Sequence, residues 1–379
     1  MMQINAIDKS KPLSERMALS VIKRYTPDQV KWHYEHGLVI QSIYAVANTV
    51  DKGGAADDYR RWVKTMYDTK IQDDGSIATY RGDEFNLDQI NPGKQLFDLY
   101  RDSGERKYRT AIETLRDQLR HHPRTKSDGF WHKQIYPWQM WLDGLYMQGP
   151  FYARYAAEYG SAEDFTDIVH QFVLIESKAR DEKTGLIYHA WDESREQKWA
   201  NPQTGCSPHF WGRALGWYCM ALVDVLDFIP PALQKEREAL IAIACRLIAP
   251  LEHFQDTESG LWYQVLDQGE REKNYLEASG SSMFVYFLYK MIRKGYAQGS
   301  IAAGAKKTAA AAYEGLRGCL LREDPSGELH LDGICSVAGL GGVPYRDGSY
   351  SYYVSEAVVT DDFKGVGPFI LASLEHERA

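Results

Sequence analysis

Two kinds of apolar pattern alternate along the chain, and together they predict an all-α protein. Nearly all-apolar segments that open on small residues and carry aromatics occupy 37–47, 87–100, 142–159, 214–229, 278–290 and 365–374. Helices that are apolar all round belong inside a larger helical body. Between them run segments with one wet face, near 13–25, 57–68, 105–120, 236–250 and 301–321, and one that follows Ser161. In the last, Phe165, Ile168, Val169, Phe172 and Val173 fall at i, i+3, i+4, i+7 and i+8 as one stripe. Ser161 with Asp164 three positions on resembles a capping box.

A loop signature recurs with the helices: Asp73-Asp74-Gly75, Ser127-Asp128-Gly129, Thr184-Gly185-Leu186, Ser259-Gly260-Leu261 and Ser326-Gly327-Glu328. The stretches 181–188 and 256–263 are the most alike. Such self-similarity signals stacked helical hairpins. Six hairpins closed on themselves make an (α/α)6 barrel of inner and outer helices. An open solenoid is the alternative, and the apolar inner segments favour closure. The whole chain, 1–379, reads as one domain.

In such a barrel the residues at or just before each inner helix face one cavity. Those positions hold Trp32, His33 and Tyr34, then Asp88, then His132, Lys133, Trp141 and Asp143, then His189, then Trp211, Arg213 and Trp217. The densest stretch, 130–144, packs Trp131, Trp138, Trp141, Tyr136, His132, Lys133 and Asp143 together. A carboxylate among indole rings is poorly solvated, which favours its protonated form and suits a general acid. Aromatic faces beside polar groups also suit a sugar ring. The competing reading is a hydrophobic helix start whose Asp merely occupies the N-terminal turn. Asp88 has a similar alternative as a helix cap. As a pair of like charges, Asp88 and Asp143 would push one proton affinity up. Trp217 is open to a core-packing reading. An Arg at an apolar helix start such as Arg213 needs an anion to meet. His209 reads as a structural histidine, and His121-His122 before Pro123 as a solvated corner.

Composition narrows the field. The 379 residues are 44% hydrophobic and 25% charged, enough for a packed core. Aromatics reach 13%, with 25 tyrosines and 10 tryptophans, in keeping with a carbohydrate cleft. A net charge of -8 argues against nucleic acid and requires local cations for any anionic ligand. No apolar run is long enough to span a bilayer, and residues 1–5 lack a signal-peptide pattern. The five scattered cysteines form no Cys-x-x-Cys pair, so neither a disulfide framework nor a zinc ribbon is expected. No metal-ligand spacing, Ser-His-Asp order or Gly-x-Ser-x-Gly elbow appears. These features read as a soluble cytoplasmic protein, a monomer or weak homo-oligomer, without membrane or nucleic-acid partners.

At the cavity residues the chain resembles the unsaturated rhamnogalacturonyl hydrolases of glycoside hydrolase family 105. The matching stretches are 32–34, 86–94, 129–150, 188–192, 199–217 and 361–369, spread over essentially the whole chain. The resemblance implies an (α/α)6 barrel and a small oligosaccharide substrate. It implies Asp143 as general acid/base with Asp88 assisting, and no metal, nucleotide or redox cofactor. His33, Tyr34, His132, Lys133, His189, Arg213 and Trp217 would line the sugar site, with Lys133 toward the neighbouring rhamnose. Three rivals stay open. A glucuronyl hydrolase on glycosaminoglycan disaccharides would use the same chemistry, an epimerase would use His132 and His189 as a proton-transfer pair, and a non-catalytic barrel would only bind sugar.

Overall fold

The computed structural model describes residues 7–50 and 54–379. Thirteen α-helices follow in order: α1 Leu13–Arg24, α2 Tyr34–Ala47, α3 Gly54–Asp68, α4 Leu96–Ser103, α5 Arg106–His121, α6 Leu142–Tyr159 and α7 Ala162–Ala179. Then come α8 Gly212–Val225, α9 Gln234–His253, α10 Ala278–Arg293, α11 Gly299–Gly315, α12 Tyr350–Ser355 and α13 Phe363–Glu377. The nearly all-apolar segments form the inner ring. α2 packs on the 3-10 segment Asn91–Gln95, which packs on α6; α6 packs on α8, α8 on α10, α10 on α13, and α13 returns to α2. α1, α3, α5, α7, α9 and α11 back this ring from outside. The closed, all-α (α/α)6 barrel is therefore the fold, and the open solenoid is excluded.

Burial follows pattern. α8 and the length of α10 from Ala278 to Met291 are buried on every side, as expected of helices enclosed by neighbours. The outer helices keep one wet face. In α7 the buried stripe takes Phe165, Ile168, Val169, Phe172 and Ile175, while Val173 is exposed. At 100° per residue Val173 lies about 80° from Phe165 on the far side from Ile168, outside the stripe. The Asp164 carboxylate accepts the Ser161 amide at 3.0 Å, and Ser161 with Asp164 forms the expected capping box.

The second inner segment departs from expectation. Instead of one helix over 87–100, two 3-10 turns, Leu87–Gln89 and Asn91–Gln95, precede the short α4. Pro92 has no N–H to continue an α-helical ladder, and the tighter turns let α2 come close. A Cβ on Gly37 would lie 2.7 Å from Pro92 Cα, so only glycine fits at that crossing.

The recurring loops fold alike. Asp181 accepts the Thr184 amide and hydroxyl, both at 2.8 Å, and Asp256 accepts the Ser259 amide and hydroxyl at 2.8 and 2.6 Å. Gly185 and Gly260 share φ of +74°, a left-handed conformation that glycine adopts without strain.

Three two-stranded antiparallel sheets escaped the sequence pattern, because strands of two or three residues leave no alternation to read. They pair β1 Gln139–Trp141 with β2 Ala190–Asp192, β3 Leu321–Glu323 with β4 Leu329–Leu331, and β5 Ile334–Cys335 with β6 Val358–Val359. No helix among the described residues is long and apolar enough to cross a membrane. The five cysteines are free, and Cys206, Cys219 and Cys335 are buried.

Candidate active site

The ribbon of β1 and β2 aligns the first pair of functional side chains. Trp141 lies opposite Ala190 in register, and the Leu142 amide donates to the His189 carbonyl at 3.0 Å. Asp143 therefore enters the first turn of α6 directly beside His189. Its Oδ2 lies 3.2 Å from His189 Nε2. Both atoms are buried, and neither makes an aligned hydrogen bond. The other ring nitrogen, Nδ1, sits 2.7 Å from the Tyr353 hydroxyl. A negative side chain in a first helical turn is favourable for the helix dipole, but this carboxylate faces a histidine instead of capping backbone.

Asp88 sits in the first 3-10 turn, and its side chain does not cap that turn. The cap is Asn86, whose side chain accepts the Asp88 amide at 3.0 Å. The Asp88 carboxylate, 5% exposed, meets Lys133 Nζ at 2.5 Å, His132 Nε2 at 3.8 Å and His33 Nε2 at 4.0 Å. Burial alone would push its proton affinity up. Lys133, His132 and His33 outweigh that and hold the pKa down at about 2. Mutual repulsion between Asp88 and Asp143 is therefore not what sets Asp88, which stays ionised because a lysine is locked onto it. Lys133 is correspondingly raised: burial opposes its charge, and Asp88 more than restores it. Lys133 Nζ thus points at Asp88.

His132 lies 3.8 Å from Asp88 and feels the charge of both carboxylates. It is buried, and desolvation brings its pKa to about 4 despite the attraction of Asp88. The ring lies parallel to the Trp141 indole at 4.5 Å, and Tyr136 lies parallel to the same indole at 4.8 Å. Trp131 and Trp138 pair with each other instead. Of the tryptophans in this stretch, Trp141 alone packs on His132 and His189.

Tyr34 opens α2 between the two halves of the site. Burial first, then the negative field of Asp88, keeps its phenol protonated well above the usual range. Its ring meets Trp217 edge-on at 5.8 Å, and Trp217 stacks on Tyr146 at 4.9 Å. Trp211 donates to Gln264 Oε1 at 3.0 Å and stacks on Tyr353. Trp211 and Trp217 are each 1% exposed, so they wall the site from behind and are not open platforms.

Arg213 finds its anion inside the protein. Glu277 Oε1 is 4.0 Å away, Ser279 Oγ is 3.3 Å from Nη1, and the guanidinium donates to the Cys335 and Ser336 carbonyls. Nε is buried without a partner. Burial opposes the charge, but Cys335 and Glu277 raise the proton affinity above the ordinary arginine value.

The chain pattern missed several neighbours. Glu35 lies 3.7 Å from His33 Nδ1 and 3.3 Å from Lys364 Nζ. Burial opposes its ionisation, yet the nearby His33 and Lys364 hold it below the usual carboxylate range. Tyr353, Glu277 and Arg346, which donates to the Tyr136 hydroxyl at 2.8 Å, are the others. Glu277 stood legible just before the fifth apolar segment at 278, at an inner-helix start. Tyr353 sits in a loop helix with no periodic signal. His209 is held by Gln268 at 3.0 Å, in keeping with a structural role. Among the described residues, no three His, Cys, Asp or Glu groups are placed to hold a metal ion.

A closed helical ring whose inner-helix starts gather two carboxylates, three histidines and buried aromatics places the chain among the helical-barrel glycoside hydrolases. It belongs to glycosyl hydrolase family 88, whose model matches residues 13–379. A solved family 105 glycoside hydrolase from C. acetobutylicum ATCC 824 is 48% identical with a TM-score of 0.92, covering 97% of this chain and 100% of that one. Protein Atu3128 of Agrobacterium fabrum is 41% identical over 230 residues, 60% of this chain and 96% of that protein. The unsaturated rhamnogalacturonyl hydrolase YesR of Bacillus subtilis is 28% identical over 295 residues, 75% of this chain and 78% of that protein.

Proposed function

We propose that the chain is one catalytic domain that removes the terminal 4,5-unsaturated galacturonate from unsaturated rhamnogalacturonan disaccharides. Asp143 is the general acid and then the base, and Asp88 assists. The observation that carries this reading is the contrast between the two carboxylates. Asp88 is fixed as an anion by Lys133 at 2.5 Å, whereas Asp143 Oδ2 faces His189 Nε2 at 3.2 Å without a committed hydrogen bond. One group supplies constant negative charge, and the other is free to exchange a proton.

The C4=C5 bond of such a substrate is part of an enol ether and accepts a proton at C4 more readily than an isolated alkene. Protonated Asp143 delivers that proton. Positive charge then appears at C5 and the ring oxygen, where Asp88 and the new Asp143 carboxylate stabilise it. Water attacks C5 while Asp143 takes one of its protons, restoring the acid. The resulting hemiketal opens, and the glycosidic bond is lost without attack at the anomeric carbon. This differs from the two-carboxylate schemes of ordinary glycosidases. The substrate carboxylate is assigned to the Arg213 side, where Nε is buried without a partner. His33, Tyr34, His132 and His189 line the ring, with Trp141, Trp211 and Trp217 behind them.

The name of the Bacillus subtilis relative supports the galacturonate choice. The test follows the ultraviolet absorbance of the conjugated double bond in an unsaturated rhamnogalacturonan disaccharide. Loss of absorbance with release of rhamnose is the expected result. Loss only with a glycosaminoglycan-derived disaccharide would overturn the substrate, and loss with neither would overturn the reaction.

A further inference from the structure

His189 has no access to solvent, so each of its nitrogens depends on one protein group. Nε2 faces Asp143 Oδ2 at 3.2 Å, and Nδ1 faces the Tyr353 hydroxyl at 2.7 Å. The ring is boxed by Trp141 edge-on at 5.4 Å, Trp211 at 4.9 Å and Tyr353 at 6.0 Å. Tyr353 is itself fully buried, its ring near-parallel to Trp211. We propose that Tyr353 is a positioning residue whose hydroxyl lets His189 meet Asp143 in both of its ionisation states. The inference rests on the acid/base reading of Asp143.

Donors and acceptors on the imidazole set what each partner must do. A neutral imidazole carries one N–H and one lone pair. When Asp143 is a carboxylate, the imidazole proton belongs on Nε2, facing Oδ2. Nδ1 is then an acceptor, and Tyr353 donates to it. When Asp143 is protonated and its acidic hydrogen points at Nε2, the imidazole proton must move to Nδ1. Tyr353 then accepts instead of donating. A hydroxyl can do both, which a backbone carbonyl or amide in its place could not. The phenol keeps its proton throughout, because burial, then Tyr352 and Asp143, hold it well above the usual range.

Other charged groups near this relay come from several elements. His132, from the loop before β1, is close enough to His189 to feel its charge. Arg346, Tyr352 and Cys335 act on the Tyr353 phenol. None of them makes a hydrogen bond to either ring nitrogen of His189, so the tautomer is set by Asp143 and Tyr353 alone among the described residues.

Removing the hydroxyl breaks the symmetry. In Tyr353→Phe an Nδ1–H would be a buried donor with no partner, which is costly. The Nε2–H form is then favoured at every pH, and with it the ionised Asp143. Activity that needs protonated Asp143 should therefore fail at lower pH than in the unmodified protein. The expected shift of the alkaline limb of kcat/KM is about one pH unit toward acid, or about tenfold lower activity on that limb. The acid-side plateau should be retained.

The direct readout is nitrogen-15 NMR of the imidazoles in the full chain, with His189 assigned by its absence in His189→Gln. The unmodified protein should change from the Nε2–H to the Nδ1–H form as pH falls through the alkaline limb. Tyr353→Phe should stay in the Nε2–H form. A urea midpoint for Tyr353→Phe separates misfolding from this effect. A single His189 tautomer across pH in the unmodified protein would overturn the proposal whatever the variant does. A loss of activity in Tyr353→Phe that is uniform across pH would also overturn it. If the unmodified protein left every unsaturated disaccharide untouched, the proposed function would fail on that ground alone, while the NMR result would still decide the tautomer.

Discussion

Among individual residues, the two carboxylates divide the work because their surroundings differ, and the division can be tested separately. Asp143→Asn keeps the shape but can neither give nor take the proton, so turnover should fall by at least about a hundredfold, the lower bound for losing a general acid. Disaccharide affinity, measured by calorimetry, should stay within a few-fold. Lys133→Met removes the counter-charge at 2.5 Å and leaves Asp88 buried with only two histidines near it. Breaking one partner of a buried pair costs on the order of 3–5 kcal/mol, so the urea midpoint should drop along with kcat. A Lys133→Met protein of unchanged stability would show that Asp88 does not depend on that lysine. At this scale residue types were legible in the sequence, but their partners were not. Lys133 and Arg213 both read as cations for substrate. In the fold they lie beside Asp88 and Glu277, and only folding brings those residues together.

Single elements matter through their starting points. β1 and β2 are three residues each, yet their register sets Asp143 against His189. The apolar segments at 142–159 and 278–290 revealed α6 and α10 almost to the residue, because length and burial on all sides leave a strong pattern. The 87–100 segment misled for a local reason: Pro92 turns an apolar run into 3-10 geometry, and that geometry brings Asp88 to the mouth. The crossing beneath it gives a prediction. In a helix Gly→Ala normally stabilises by about 1 kcal/mol, but Gly37→Ala would set its Cβ 2.7 Å from Pro92 Cα. Such overpacking typically costs about 1–3 kcal/mol. Calorimetric melting should therefore show a lower Tm for Gly37→Ala, and an unchanged or higher one would contradict the close approach.

For the whole molecule, ring closure buries several histidines that must stay neutral. Desolvation brings His36, His132 and also His122, which is buried and not at the solvated corner its sequence suggested, to about 4, below the roughly 6.5 of an exposed imidazole. The unfolded chain therefore binds more protons between those values. Their contribution to stability is full above about pH 6.5 and is lost as pH falls toward 4, on the order of 1.4 kcal/mol per pH unit for each. Asp88 extends the loss: with a folded value near 2 against an ordinary one near 3.9, its contribution disappears only below about pH 4. Urea midpoints measured from pH 8 to pH 4 should hold steady and then fall. The alternation of apolar and one-faced segments made this ring legible, as did the repeated loops around Gly185 and Gly260. What stayed hidden was the long-range pairing across the mouth, such as Tyr353 with His189, 164 residues apart.

Hydration of the double bond and attack at the anomeric carbon are separated by a sulfur-linked analogue. Replacing the glycosidic oxygen of the unsaturated disaccharide with sulfur hinders cleavage at the anomeric carbon and leaves the C4=C5 enol ether intact. The absorbance of that bond should disappear at a rate near that of the natural disaccharide, and should persist with Asp143→Asn. An analogue left untouched by protein that consumes the oxygen-linked substrate would contradict hydration by Asp143.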